Sequence, residues 1–127
     1  MKLQPTLCLM LKAPRPGFVK TRLAADLGDE AAEQVYRRLV EHQAAQVPPD
    51  WRVEVHFAPA DAVSEMRDWL CPHLPESAEF FPQADGDLGA RLRAALAGTL
   101  ARGAQHVLFA GGDLPPLLNS NPPATVW

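Results

Sequence analysis

Residues 12 to 23 read Lys-Ala-Pro-Arg-Pro-Gly-Phe-Val-Lys-Thr-Arg-Leu and hold four cations, Lys12, Arg15, Lys20 and Arg22. An apolar run precedes them and a helical pattern follows soon after. That order is how α/β proteins commonly bind phosphate: cationic side chains supply charge, while main-chain N–H groups and a helix N-terminus face the anion. The stretch fits an anion site, or else a solvated basic loop. It is not a nucleotide P-loop of the G-x-x-x-x-G-K-[ST] type, because Pro14 and Val19 stand where glycine is required. The dinucleotide fingerprint G-x-G-x-x-G is absent as well.

Asp113 is the second residue with chemistry in reach. It follows an apolar run and Gly111-Gly112. A carboxylate beside phosphate-binding cations makes electrostatic sense through a divalent metal, which neutralises both. The alternative is a turn or helix cap. Asp85-Gly86-Asp87 precedes another helical pattern. Asp87 either lies near the ligand or caps that helix, with Arg91 one turn on as its ion-pair partner. His42, His56, His73 and His106 have no ligand spacing among them and read as structural or surface residues. No Ser-His-Asp or Cys-His set is visible, so no catalytic residue is assigned.

The elements that position these residues follow from periodicity. Residues 6 to 11 are continuously apolar, as in a strand covered on both faces. Residues 29 to 47 predict a helix with Ala32, Val35, Tyr36, Leu39, Val40 and Gln43 on one face. Asp29 is its expected N-cap, and Pro48-Pro49 stops it. Residues 51 to 58 alternate Val53, Val55 and Phe57 with Arg52, Glu54 and His56, a strand pattern. Residues 61 to 70 predict a short helix with Val63, Met66 and Leu70 inward. Residues 78 to 82 predict a short strand carrying Phe80 and Phe81. Residues 86 to 102 predict a helix with Leu88, Leu92, Ala95, Leu96 and Thr99 on one face, ended by Gly103. Residues 106 to 110 predict a fourth strand. Trp51, Trp69 and Trp127 read as packing groups.

The order β-α-β-α-β-α-β predicts an α/β fold: three layers, α/β/α, Rossmann-like, with a mainly parallel sheet and right-handed crossovers. The expected strand order is 3-2-1-4, which reverses between strands one and four. Open α/β sheets bind ligands at the carboxyl ends of the strands at such a reversal. The basic loop and Asp113 then face each other across the crevice.

Composition bounds the rest. The chain has 127 residues, enough for one domain, expected over residues 1 to 118 with an irregular tail over 119 to 127. A formal net charge of −3 argues against a general nucleic-acid binder. Cys8 and Cys71 lie in no Cys-x-x-Cys motif, and no signal peptide is visible, so both are expected to be reduced thiols in a cytoplasmic protein. The apolar run at 6 to 11 is too short to span a membrane. Most of the 13 prolines fall in pairs between periodic segments and act as punctuation.

Lys12-Ala-Pro-Arg-Pro-Gly17 with Val19-Lys-Thr-Arg-Leu23, Gly86-Asp-Leu-Gly89 and Gly112-Asp-Leu-Pro115 resemble the bacterial glycosyltransferase-A-like proteins found near radical-SAM genes. Lys20-x-Arg22-Leu23 and Asp113-Leu-Pro115 are also similar to the guanylyltransferases that activate phospholactate. Both groups have the nucleotide-diphosphate-sugar transferase fold, and the resemblance covers nearly all of residues 6 to 118. It implies a nucleotide-dependent transferase, of glycosyl- or nucleotidyltransferase type, with Mg²⁺ or Mn²⁺ near the acidic residue after strand four. Carried over, Lys12, Gly17, Lys20, Thr21 and Arg22 surround the phosphates, Asp87 adds to the nucleotide site, and Asp113 binds the metal. Where members commonly read Gly-Thr-Asp-Cys-Pro, this chain has Gly111-Gly-Asp-Leu-Pro115 and keeps the aspartate.

Members normally continue for a further half domain that holds the acceptor pocket. Residues 119 to 127 do not resemble that continuation. The resemblance therefore leaves two expectations: a transferase, or a shortened module that binds a nucleotide or partner without transfer. A sheet ending at strand four exposes an edge, which leads to an expected homodimer through that edge.

Overall fold

The structure, a computed structural model, describes residues 5–15, 19 and 25–111. Among the described residues, four strands form one parallel sheet: β1 (Thr6–Lys12), β2 (Arg52–Ala58), β3 (Glu79–Pro82) and β4 (Val107–Gly111), in the order β3-β2-β1-β4. The expected fold class and strand order are both present. β1 pairs with β2 from Thr6↔Arg52 to Lys12↔Ala58, and with β4 from Thr6↔Val107 to Met10↔Gly111. β2 pairs with β3 from Glu54↔Glu79 to Phe57↔Pro82.

Helices α1 (Asp29–Ala45), α2 (Val63–Leu70) and α3 (Leu88–Ala101) supply the crossovers. Right-handed crossovers send α1 and α2 to one face of the sheet. The β3-to-β4 connection runs the opposite way across the sheet, so α3 lies on the other face. The burial pattern follows. Leu7, Leu9, Leu11, Val53, Val55, Phe57, Leu108 and Ala110 pack with Tyr36, Val40, Met66 and Leu70 in the larger core. Cys8 and Phe109 pack with Ala95 in a smaller one, with Met10 and Leu92 at its margin.

Several local expectations change. The N-cap of α1 is Gly28, whose φ of +93° suits glycine, and Asp29 and Glu30 occupy the first turn. A 3₁₀ turn over Ala60–Ala62 precedes α2, which shifts its inward face. Trp69 is buried with Met66 and Leu70, while Val63 is 37% exposed. On α3 only Ala95 and Thr99 are buried, and Leu88 and Leu96 are exposed, because among the described residues no other helix lies on its side of the sheet. Gly103 does end α3, at φ +100°, with its N–H donating to Leu100 C=O and Ala104 N–H to Thr99 C=O.

Candidate functional site at the carboxyl edge of the sheet

The strand-order reversal falls between β1 and β4, as the sequence implies. Lys12 is the last residue of β1 and is exposed there. Its peptide groups are gripped by one side chain: the Lys12 N–H donates to Tyr36 Oη (2.8 Å), and the Tyr36 hydroxyl donates to Lys12 C=O (2.8 Å). Gly111 ends β4, and its carbonyl accepts from Gln43 Nε2 at 3.1 Å. Gln83, just past β3, donates its amide to Leu11 C=O (3.1 Å) and His56 C=O (2.8 Å). Its own N–H donates to Phe57 C=O. Ala13 N–H reaches Ala58 C=O at 2.8 Å, so the chain leaving β1 stays tied to β2 for one further residue. Val19, 2% exposed, packs in the larger core.

Two site residues inferred from sequence lie among those described. Lys12 is at the carboxyl edge. Asp87 caps α3, its Oδ1 accepting from Ala90 N–H at 2.8 Å. Arg91 does not pair with Asp87. It donates instead to Gly86 C=O (3.0 Å) and Gln83 Oε1 (3.4 Å), which fixes the loop between β3 and α3. Gly17, Lys20, Thr21, Arg22 and Asp113 lie outside the described residues. Arg15 is drawn away from the anion role that its charge suggested. Its guanidinium pairs with Glu65 and lies 3.6 Å from Asp61, and the hydrogen bonds to Glu65 raise its pKa.

A second polar cluster sits under α3, deep in the sheet. Cys8, Glu54 and His56 each offer a ligand-type atom, all within 4.8 Å of one another, a set that could hold a metal. The Glu54 carboxylate is also held by other side chains. Arg102 donates to both Glu54 oxygens (2.9 and 2.6 Å), Thr99 donates to one (3.1 Å), and His56 Nε2 lies 3.0 Å from the other. A carboxylate accepts only, so His56 must carry its proton on Nε2. Burial pushes the Glu54 pKa up, but Arg102, His56 and Thr99 outweigh it and hold the value at about 2. Burial, with the Glu54 charge, pushes the Cys8 thiol up to about 12, and burial lowers the His56 pKa. A divalent ion bound here would compete with Arg102 for the Glu54 carboxylate and displace the Cys8 thiol proton. The cluster is also about 13 Å along β1 from Lys12, at roughly 3.3 Å per residue.

Residues 39–121 match a family described as uncharacterized protein conserved in bacteria (DUF2064). The chain belongs to this family. This DUF2064 chain is also similar to the 1.90 Å crystal structure of a "putative nucleotide-diphospho-sugar transferase" from Desulfovibrio desulfuricans G20. The TM-score is 0.70 and the identity 28%, over 90% of this chain and 50% of that one. The DUF2064 chain therefore spans about half the length of that protein. No curated protein matches it.

Sequence reasoning missed Gln83 and the Glu54 cluster. The signal for Glu54 was its place in β2 opposite an interior strand, where both faces are covered and a charge needs a partner. Gln83 carried no signal beyond following a strand. Tyr36 and Gln43 were read on the inward face of α1, and both are buried there. Their polar groups are what the strand ends use.

Proposed function

We propose that this DUF2064 chain binds the phosphates of a nucleotide at the carboxyl edge, between β1 and β4, as part of a nucleotide-dependent transferase of glycosyl- or nucleotidyltransferase type. The observation that carries this reading is the strand-order reversal beside Lys12, in a fold shared with the Desulfovibrio protein. In this reading Lys12, Lys20 and Arg22 supply charge to the phosphates, and Gly17 and Thr21 let the loop approach them. Asp87 borders the nucleotide from the start of α3, and Asp113 holds Mg²⁺ or Mn²⁺. The bound metal would neutralise charge developing on the transferred group. The chain's own part is positioning and charge complementarity. The glycosyltransferase-A-like group found near radical-SAM genes is the finer assignment that the motifs favour. Residues 1 to 118 would form the nucleotide-binding unit, acting in the cytoplasm, and two chains would join along the outer edge of β4.

The alternative reading is a module that binds a nucleotide or a partner chain without transfer. Calorimetry with nucleoside di- and triphosphates, with and without Mg²⁺ or Mn²⁺, tests binding. Lys20→Ala should weaken binding under all conditions, and Asp113→Ala should remove only its metal-dependent part. No binding of any nucleotide overturns the transferase and the nucleotide-binding module alike. Binding with no hydrolysis or transfer from nucleotide sugars selects the module.

A further inference from the structure

Tyr36 and Gln43 sit seven residues apart on α1, two turns along one buried face. Both are nearly inaccessible, at 3% and 2% exposure. A buried helix face ordinarily carries apolar groups, and Val40 between them does. Tyr36 and Gln43 instead direct polar groups to main-chain atoms of two different strands. Tyr36 holds both peptide groups of Lys12 at the end of β1, and Gln43 holds the Gly111 carbonyl at the end of β4. These are the points where β1 and β4 pass into the two segments that the proposed site uses. Buried peptide groups at a strand end need hydrogen-bond partners, and these two side chains supply them.

We infer that Tyr36 and Gln43 are positioning residues: struts on one rigid helix that set the separation of Lys12 and Gly111, the β1 and β4 ends that border the proposed nucleotide site. The inference rests on the nucleotide-site reading. A nucleotide phosphate bridged to a metal tolerates little change in that separation, and groups that orient a site from behind it affect affinity without touching ligand. Gln83, just past β3, donates to the Leu11 and His56 carbonyls and so braces the end of β1 against β2.

Three variants test this. Tyr36→Phe removes the hydroxyl with little change of shape. Gln43→Met keeps the length and removes the amide. Val40→Ala truncates the same buried face between them without touching either strand end. Amide hydrogen exchange in the nucleotide-free protein is the first readout. Tyr36→Phe should speed exchange at Lys12 while leaving Leu9 unchanged. Calorimetry with a nucleoside triphosphate and Mg²⁺ is the second. Tyr36→Phe and Gln43→Met should each weaken binding by about tenfold, the scale seen when orienting groups behind a site are lost. Val40→Ala should lower the melting temperature and leave the affinity unchanged. If the wild-type chain binds nucleotide and both polar variants bind as tightly, the inference fails while the site reading stands. If Val40→Ala weakens binding as much as they do, their role is general stability and the inference again fails. If the wild-type chain binds nothing, the site reading itself falls, and unchanged exchange at Lys12 in Tyr36→Phe would remove the strut independently.

Discussion

Glu54 gathers Cys8, His56, Thr99 and Arg102 around one buried carboxylate. Such a group is costly to bury alone and tolerable only with its partners. Arg102→Met should therefore destabilise the protein by about 3–5 kcal/mol, and Glu54→Leu combined with Arg102→Met by clearly less, read from urea unfolding. The pH dependence has a definite sign. The folded pKa of Glu54, about 2, lies below its ordinary 4.5, so its contribution is present above 4.5 and is lost as pH falls toward 2. The His56 pKa is lowered from 6.5, so the unfolded chain takes up that proton first and stability falls as pH drops below 6.5. The urea midpoint should decline across both windows. Glu54→Gln should start lower and lose the decline in the acid window, and a wild-type midpoint independent of pH between 2 and 6.5 would contradict the assignment. Little of this cluster was legible in the sequence. The alternation of β2 marks Glu54 and His56 as one face, but only the crossover direction decides that α3 covers it.

The elements themselves were legible, because each carries its own period and its own punctuation. Four strands and three helices come close to their expected ranges, and Gly103 and Pro48-Pro49 stop helices for local reasons. Which side chains turn inward was less legible. Val63 moved outward because a 3₁₀ turn rotates the start of α2, and Leu88 and Leu96 because α3 has no helical neighbour on its face among the described residues. Asp87 marks the limit at this scale, since one carboxylate can cap a helix and also border a ligand. Asp87→Ala should cost about 1 kcal/mol through the lost cap, and Asp87→Asn should restore most of it. If Asp87 also borders the nucleotide, Asp87→Asn should recover the melting temperature without recovering nucleotide affinity. Full recovery of both would leave Asp87 as a cap alone.

At the scale of the whole molecule, the strand order turns separate motifs into a single edge. It brings the end of β1 beside the end of β4, with α1 spanning behind both. No described helix is long and apolar enough to cross a membrane. Among the described residues, β4 pairs on one side only, with β1. α3 turns Leu88, Leu96 and Leu100 outward, with Arg91 and Arg93 as the charges along its length. A homodimer along the β4 edge should give twice the 13.9 kDa chain mass in sedimentation equilibrium, and a strictly monomeric mass at working concentrations would count against it. The nucleotide site is tested most directly by titrating a nucleoside triphosphate with Mg²⁺ into the isotope-labelled chain and following its amide resonances. The account predicts the largest shifts at Lys12, Ala13 and Gly111, with Leu7, Val53 and Val107 at the opposite ends of the strands unmoved. Shifts concentrated at those opposite ends, or no shifts at all, would contradict it.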